Sequence, residues 1–109
     1  MSRTIKQIAA ATLGNVSADY YTAPNATNTQ ILACTLSNKT GTAQTATVTH
    51  TPSGGAAVNL LNGITVPANQ QIVGYAAIGQ VINSGGKISA LCSAGASVDL
   101  TMSAVEVTL

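Results

Sequence analysis

Apolar and polar residues alternate along most of this chain, and turn-forming residues interrupt the alternation at short intervals. A period of two is typical of β-strands with one buried face, whereas an amphipathic helix repeats every 3.6 residues. The clearest alternation is at residues 44–51, where Ala46, Val48 and His50 share one face and threonines occupy the other. The pattern predicts an all-β protein with about eight strands and no helix longer than about one turn.

The predicted strands are the apolar or alternating segments between consecutive turn signals. They cover residues 7–13, 16–22, 29–37, 44–51, 58–61, 64–66, 71–78, 87–93 and 97–109. In segment 29–37, Leu32, Cys34 and Leu36 are predicted on one face and the odd-numbered residues on the other. Both faces are mainly apolar, which predicts a central strand. Asn62 and Gly63 favour a type I′ turn, so a hairpin is expected between 58–61 and 64–66.

The last predicted strand changes the face to which its apolar residues point. The apolar residues are even-numbered up to Met102 and odd-numbered from Val105 onward. Because successive side chains of a strand point to opposite faces, this change predicts a β-bulge or a switch between sheets around Ser103 and Ala104.

Together these segments predict an all-β fold, a single antiparallel β-sandwich of the jelly-roll or Ig-like type, with residues 1–109 in one domain. A chain of 109 residues has room for one hydrophobic core. Residues 1–13 are interpreted as a first strand or as an N-terminal arm that interlocks with a neighbour. The apolar stretch at residues 8–13 resembles a secretion signal only weakly, because it is shorter than such signals are.

Charged and aromatic side chains are scarce. The chain has four Lys or Arg, three Asp or Glu, three Tyr, and neither Phe nor Trp. Its core must therefore use aliphatic side chains, and a core without large rings gains from covering more apolar surface with another subunit. A net charge of +1 does little to keep copies apart. We expect a homo-oligomer, such as a dimer or a trimer. The candidate assembly contacts are Arg3, Ile5, Ile8, Tyr20, Tyr21 and Tyr75.

The same scarcity argues against catalysis. Acid–base chemistry uses groups that titrate near the working pH, and the sequence contains neither a nucleophile motif nor a phosphate-binding loop. We predict no enzymatic activity, no catalytic residue, no cofactor and no metal. The four basic residues are scattered and do not form the positive face that nucleic acid requires. No apolar run approaches the length that spans a bilayer, so neither nucleic acid nor a membrane is expected as a partner.

The remaining reactive side chains are interpreted as structural. Cys34 and Cys92 lie on predicted inward faces, so a disulfide across the sandwich is conceivable, but two reduced thiols are favoured because no export signal indicates an oxidising compartment. His50 is interpreted as packed and hydrogen-bonded, or as lying at a strand end, rather than as a catalytic base or metal ligand. The acidic residues are predicted at solvated strand edges, where charge discourages edge-to-edge association. They are Asp19, Asp99 and Glu106.

Five short segments occur together in a recognisable combination. They are 21–24 (Tyr-Thr-Ala-Pro), 36–38 (Leu-Ser-Asn), 50–55 (His-Thr-Pro-Ser-Gly-Gly) after the threonine-rich strand, 62–66 (Asn-Gly-Ile-Thr-Val) and 103–107 (Ser-Ala-Val-Glu-Val). This combination, over roughly residues 20–109, resembles small β-sandwich virion structural proteins of tailed bacteriophages. The resemblance implies a virion location, assembly in the host cytoplasm, and partners among copies of the chain and other virion proteins, such as the major capsid protein.

Four functional hypotheses follow. Head decoration or cement leads, because the chain is small and has no long fibre segment, and a tail, collar or fibre component is second. A carbohydrate-binding adhesion module is third, because tyrosine rings stack on sugars. However, Tyr20 and Tyr21 point to opposite faces of one strand, so at most one of them joins Tyr75 on a platform. An Ig-like secreted domain is fourth, and free thiols at Cys34 and Cys92 would argue against it.

Overall fold

The computed structural model describes residues 2–109, which form two antiparallel β-sheets packed face to face. The strands are β1 (Ser2–Thr12), β2 (Ala18–Thr22), β3 (Thr27–Asn38), β4 (Gln44–Thr51), β5 (Val58–Val66), β6 (Gln71–Val73), β7 (Val81–Ile82), β8 (Lys87–Cys92) and β9 (Val98–Thr108). A 3₁₀ turn at Tyr75–Ala77 is the one helical element in this range. No helical segment between Ser2 and Leu109 has the length and apolar character needed to cross a membrane.

The strand order identifies the type of sandwich. Sheet A has the order β1-β9-β3-β6, with the short β7 also paired to β3, and sheet B has the order β2-β8-β4-β5. Apart from β7, this is the arrangement of a jelly roll, in which two four-stranded antiparallel sheets enclose one core. The predicted β-sandwich is confirmed. Of the two expected types, the jelly roll is correct and the Ig-like sandwich is wrong.

The core between the sheets is aliphatic. Val48, Leu36, Ile88, Leu100 and Met102 are all fully buried, and they come from both sheets. No aromatic ring is among the buried residues of the described range, although Tyr20 and Tyr21 pack against the core from its margin. This agrees with the expectation drawn from the composition.

β9 keeps one alternation along its whole length, so the predicted change of phase is wrong. Val105 and Val107 lie on the outer face of sheet A, while the even-numbered residues face sheet B. The irregularity lies in the two strands that flank β9: Ile8 of β1 and Leu32 of β3 are extra residues in the pairing beside Ser103. A bulge therefore occurs at the predicted level, but in the neighbouring strands.

The Leu32 bulge changes which residues of β3 share a face. Ile31, Cys34 and Leu36 are buried, whereas Leu32 and Ala33 are exposed. The predicted grouping of Leu32 with Cys34 and Leu36 is wrong, because an extra residue shifts the alternation by one position. β3 is nevertheless a central strand, as expected, with β9 on one side and β6 and β7 on the other.

Asn62 and Gly63 do not form the predicted hairpin turn. They lie inside β5, where the two residues face the single Thr47 of β4 in a bulge. Gly63 has a φ of +59°, and its N–H donates to the Thr47 hydroxyl at 3.0 Å. A bulge uses the same positive φ as a type I′ turn, which is why the dipeptide indicated the wrong element. The predicted strand at 71–78 also ends early, at Val73.

β1 begins at Ser2, earlier than the predicted start at residue 7, and pairs with β9 along its length. The N-terminal segment is thus an edge strand of the chain's own sheet A. Met1, the first residue of the predicted arm, lies outside the described residues. Interlocking of this segment with a neighbour stays a prediction.

Candidate assembly surface

The outer face of sheet A carries a contiguous apolar surface, which we call the β9 patch. It consists of Ile5 on β1, Leu32 on β3, Val81 on β7, and Val105 and Val107 on β9. A groove of about 420 Å³ crosses the patch from β1 to β3, and a depression of about 230 Å³ adjoins it towards β7. The patch follows from the continuous alternation of β9, which directs its last valines away from the core.

The strand register explains the shape of the patch. Ile5 lies opposite Val105, and Val105 lies opposite Gln30, so the three side chains form one row across the sheet. Val105 is only 6% exposed because its neighbours cover it, whereas Ile5 is 76% exposed and Leu32 is 42% exposed. Val105 is therefore the floor of the groove, and Ile5 and Leu32 form its raised rim.

Arg3 is the cation of the described chain that has no acidic partner. Each of the three lysines forms an ion pair with a different acidic residue, and these pairs are Lys6–Glu106 at 3.5 Å, Lys39–Asp99 at 3.2 Å and Lys87–Asp19 at 3.8 Å. Arg3 lies beside the β9 patch and lines both of its depressions. Among the described residues, the one positive charge that no acidic side chain balances is therefore that of Arg3, next to the β9 patch.

Two of the three acidic residues occupy different places from those predicted. Asp19 is on the edge strand β2, but Asp99 and Glu106 are on β9, between two neighbouring strands. The expected role at strand edges is therefore wrong for these two. Glu106 is on the inner face because β9 keeps its phase, and there it accepts a hydrogen bond from Tyr21.

Tyr21 connects the two sheets rather than presenting a free surface. Its hydroxyl donates to Glu106 Oε2 at 2.5 Å and shares a hydrogen bond of 2.7 Å with the Thr29 hydroxyl. Burial above all, and then the hydrogen bond to Glu106, raise the pKa of Tyr21 to about 12. Lys6 Nζ is 3.5 Å from Glu106 Oε1, so β1 is tied into the same cluster.

The other predicted contacts are dispersed. Ile8 is buried in the core at the β1 bulge and presents little surface to a neighbour, so its role as an assembly contact stays a prediction. Tyr75 is exposed, and its 3₁₀ turn packs on β3 and β5. Tyr20 is on β2, at the opposite edge of sheet B from β5, so no ring platform with Tyr75 forms. Of the predicted contacts, Arg3 and Ile5 are the two that the structure brings together.

Both cysteines are free thiols, as favoured from the sequence. The Cys92 thiol donates to the carbonyl of Ala94 at 2.9 Å, and burial raises the pKa of Cys34 to about 11. A thiol with such a pKa is almost entirely protonated at neutral pH and is a poor nucleophile. No group of three or more His, Cys, Asp or Glu side chains placed to hold a metal occurs within residues 2–109.

His50 lies at the end of β4, as one of its two interpretations expected, but its Nε2 atom is buried and has no hydrogen-bond partner in the described chain. The backbone of Gly86 lies close by, since a Cβ atom at that position would be 3.3 Å from Nε2. Burial lowers the pKa of His50 below its ordinary value of 6.5. The folded state therefore favours the neutral imidazole.

We expect this preference to make the fold less stable in mild acid. Well above pH 6.5 the imidazole is neutral in both states. Below pH 6.5, His50 of the unfolded chain binds a proton, whereas His50 of the folded chain stays neutral to lower pH. The free energy of unfolding therefore falls as the pH is lowered, until the pH passes the pKa of His50 in the folded state. Between about pH 7.5 and about pH 5.5, the free energy of unfolding measured with urea should fall more for the wild type than for His50→Gln. Equal losses would contradict the assignment. Asp99 does not titrate between these two pH values, because its pKa is lowered below the ordinary value of 3.8, chiefly by the hydrogen bond from Thr12.

Comparison with known proteins supports the fold. No family model matches the sequence, and no curated protein matches it either. Among solved structures, the chain is similar to a protein of Bacillus endospore appendages described as disulfide-linked pili, with 19% identity and a TM-score of 0.56, over 100% of this chain and 92% of that one. At this identity the similarity shows a shared fold alone.

Two infectious bursal disease virus structures are more distant. For the Gx strain the identity is 18% and the TM-score 0.45, over 98% of this chain and 32% of the viral chain. For the T13 viral particle the identity is 14% and the TM-score 0.45, over 97% of this chain and 31% of the viral chain. The chain thus spans about a third of each viral chain.

Proposed function

We propose that this chain is a non-enzymatic structural protein of a virion, and that it decorates the head by docking the β9 patch onto the shell. The observation that carries the proposal is the set of aliphatic side chains on the outer face of sheet A, with Arg3 beside them. Exposed contiguous apolar surface on a soluble domain marks an interaction site. The resemblance of segments within residues 20–109 to virion proteins of tailed bacteriophages supports the same role.

The chemistry of the patch suits a permanent contact. Valine side chains on a strand have one strongly preferred rotamer or few, so they lose little conformational entropy when a partner covers them. The partner should present an aliphatic surface with a carboxylate placed to meet Arg3, because a guanidinium pairs with a carboxylate through two parallel hydrogen bonds. The major capsid protein is the proposed partner.

Substitution within the patch should prevent docking. Leu32→Glu places a negative charge on the rim of the groove, at a side chain that is already 42% exposed, so the fold should persist. Virus particles assembled with the wild-type chain should contain it, whereas particles assembled with Leu32→Glu in its place should lack the variant. Quantitative mass spectrometry of the purified particles measures both. Val16→Glu is the matched control, because Val16 is 73% exposed and lies in the loop between β1 and β2, outside the patch.

Cryo-electron microscopy of the same particles tests the location. Repeated density on the head, with sheet A facing the shell, is the expected result. Docking through the β9 patch would be refuted by particles that lack the wild-type chain. It would also be refuted by particles that incorporate Leu32→Glu to the same extent as the wild-type chain.

A filament subunit, such as a tail component, is the second candidate. The observation that favours it is the similarity over the full chain to a protein of appendages described as disulfide-linked pili. Here Cys34 and Cys92 are both buried, so neither thiol is placed to link subunits. Electron microscopy of the purified chain distinguishes the two candidates, because open-ended filaments would favour a tail component over head decoration.

A further inference from the structure

The edge of β1 is open along an unbroken run of residues. β1 is the outermost strand of sheet A, and all six residues from Ser2 to Gln7 are exposed. They pair consecutively with β9, and the bulge comes only afterwards, at Ile8. One side of this run is therefore satisfied by β9, and its other side presents unpaired N–H and C=O groups at regular spacing.

The other edges of the sandwich are interrupted. β5 has two register breaks against β4, and β2 is a five-residue strand with a break between Asp19 and Tyr21. On the far side of β3, β6 has three residues and β7 has two. Bulges and short strands disrupt the regular ladder that a partner strand needs. The run from Ser2 to Gln7 is thus the longest edge among the described residues that can accept a strand.

We propose that this edge pairs antiparallel with the same edge of a second copy, about a two-fold axis through Ile5. The proposal deepens the proposed function, on which it rests, by naming how copies associate before or during docking. Residues that lie directly opposite in an antiparallel pair share a face of the sheet. In this register Ile5 meets the partner's Ile5 on the outer face, and Arg3 meets the partner's Gln7. On the inner face, Thr4 meets the partner's Lys6.

Charge favours a second copy in this register. Each cation in the run, Arg3 and Lys6, faces a neutral polar residue, and Lys6 keeps its own partner Glu106. A register centred on Lys6 would instead place two ammonium groups opposite each other, which is unfavourable. The register through Ile5 also places the two β9 patches side by side on one continuous surface. The high exposure of Ile5 in the single chain, 76%, is thereby explained.

Engineered disulfides test the register directly. Directly opposite residues have Cα atoms about 4.5–5.5 Å apart, which lies within the range of about 4.4–6.8 Å for a disulfide. Ile5→Cys should therefore form a covalent dimer under mild oxidation, seen on non-reducing gels. Gln7→Cys is the matched control, because it is also exposed on β1 but would lie about 13 Å from its counterpart along the strands. Equal cross-linking of the two variants, or none with Ile5→Cys, would overturn the register.

Charge exchange at the axis tests the pairing itself. Ile5→Lys and Ile5→Asp should each sediment as a monomer at concentrations where the wild type sediments as a dimer, and an equimolar mixture of the two should sediment as a dimer. Circular dichroism should show both variants folded, because Ile5 is a surface residue. A wild-type chain that sediments as a monomer, or variants that remain associated, would refute pairing through β1. Either outcome leaves docking of the β9 patch intact, because Leu32→Glu tests that contact separately.

Discussion

Replacing Gly74 with alanine should destabilise the fold by about 2 kcal/mol, within the range of about 1–3 kcal/mol for inserting a methyl group into a filled core. A Cβ atom at this position would lie 2.7 Å from the sulfur of Cys34 and 2.9 Å from Leu61 Cδ1. The φ of Gly74, −81°, is ordinary for any residue, so the cost is steric. The Gly74 N–H also donates to the carbonyl of Cys34 at 2.9 Å, which holds the two backbones together. We expect the melting temperature to fall by roughly 10 °C or more.

Gly41→Ala is the matched control for this substitution. Gly41 is exposed, and no atom lies within 4 Å of the position that its Cβ would take. Its free energy of unfolding should change by less than about 0.5 kcal/mol. The double variant Gly74→Ala with Cys34→Ala should lose less stability than the sum of the single changes, because the first methyl group then fills space vacated by the sulfur. If Gly74→Ala and the wild type have the same urea midpoint of unfolding, the contact of position 74 with Cys34 and Leu61 is not tight.

Replacing Asn38 with alanine should cost about 2–3 kcal/mol, because it leaves buried polar groups without partners. The Asn38 side chain donates to the carbonyls of Thr42 at 2.8 Å and Val66 at 3.0 Å, and it accepts from the N–H of Thr40 at 2.9 Å. Asn38 is itself buried at the end of β3 in sheet A, and Val66 ends β5 in sheet B. One amide therefore joins the two sheets and the loop after β3.

Two further variants show that the amide is responsible. Asn38→Asp should be at least as destabilising as Asn38→Ala, because a carboxylate cannot donate to the two carbonyls and brings a charge into a buried site. Asn59→Ala should change the free energy of unfolding by less than about 0.5 kcal/mol, since Asn59 is exposed and accepts a single bond from the Thr49 hydroxyl. Urea titration of the three variants provides the comparison, and similar midpoints for all of them would contradict the bridging role.

The residues of the β9 patch and its margin were predicted from the sequence only in part. Arg3 and Ile5 were predicted as contacts, and the structure places both beside the β9 patch. Leu32 was grouped with Cys34 and Leu36 on one face of a central strand. The opposite parity of Val105 and Val107 was interpreted as a β-bulge or a switch between sheets, because an apolar residue in an alternating strand is normally taken to face inward. An apolar outer face breaks that assumption. A signal was present in the segment itself, since one strand with apolar residues at both parities indicates apolar surface on both faces.

The sequence by itself determined that this chain is an all-β sandwich with an aliphatic core and little capacity for acid–base chemistry. Alternation and turn residues act locally, so the pattern at residues 44–51 located β4 at its observed bounds. Only the tertiary structure decided where the bulges fall, because the extra residues Ile8 and Leu32 are defined by their pairing with β9. Those bulges determine which side chains of sheet A face away from the core. The assembly surface is thus a product of long-range strand pairing, which the order of residues along one segment does not specify.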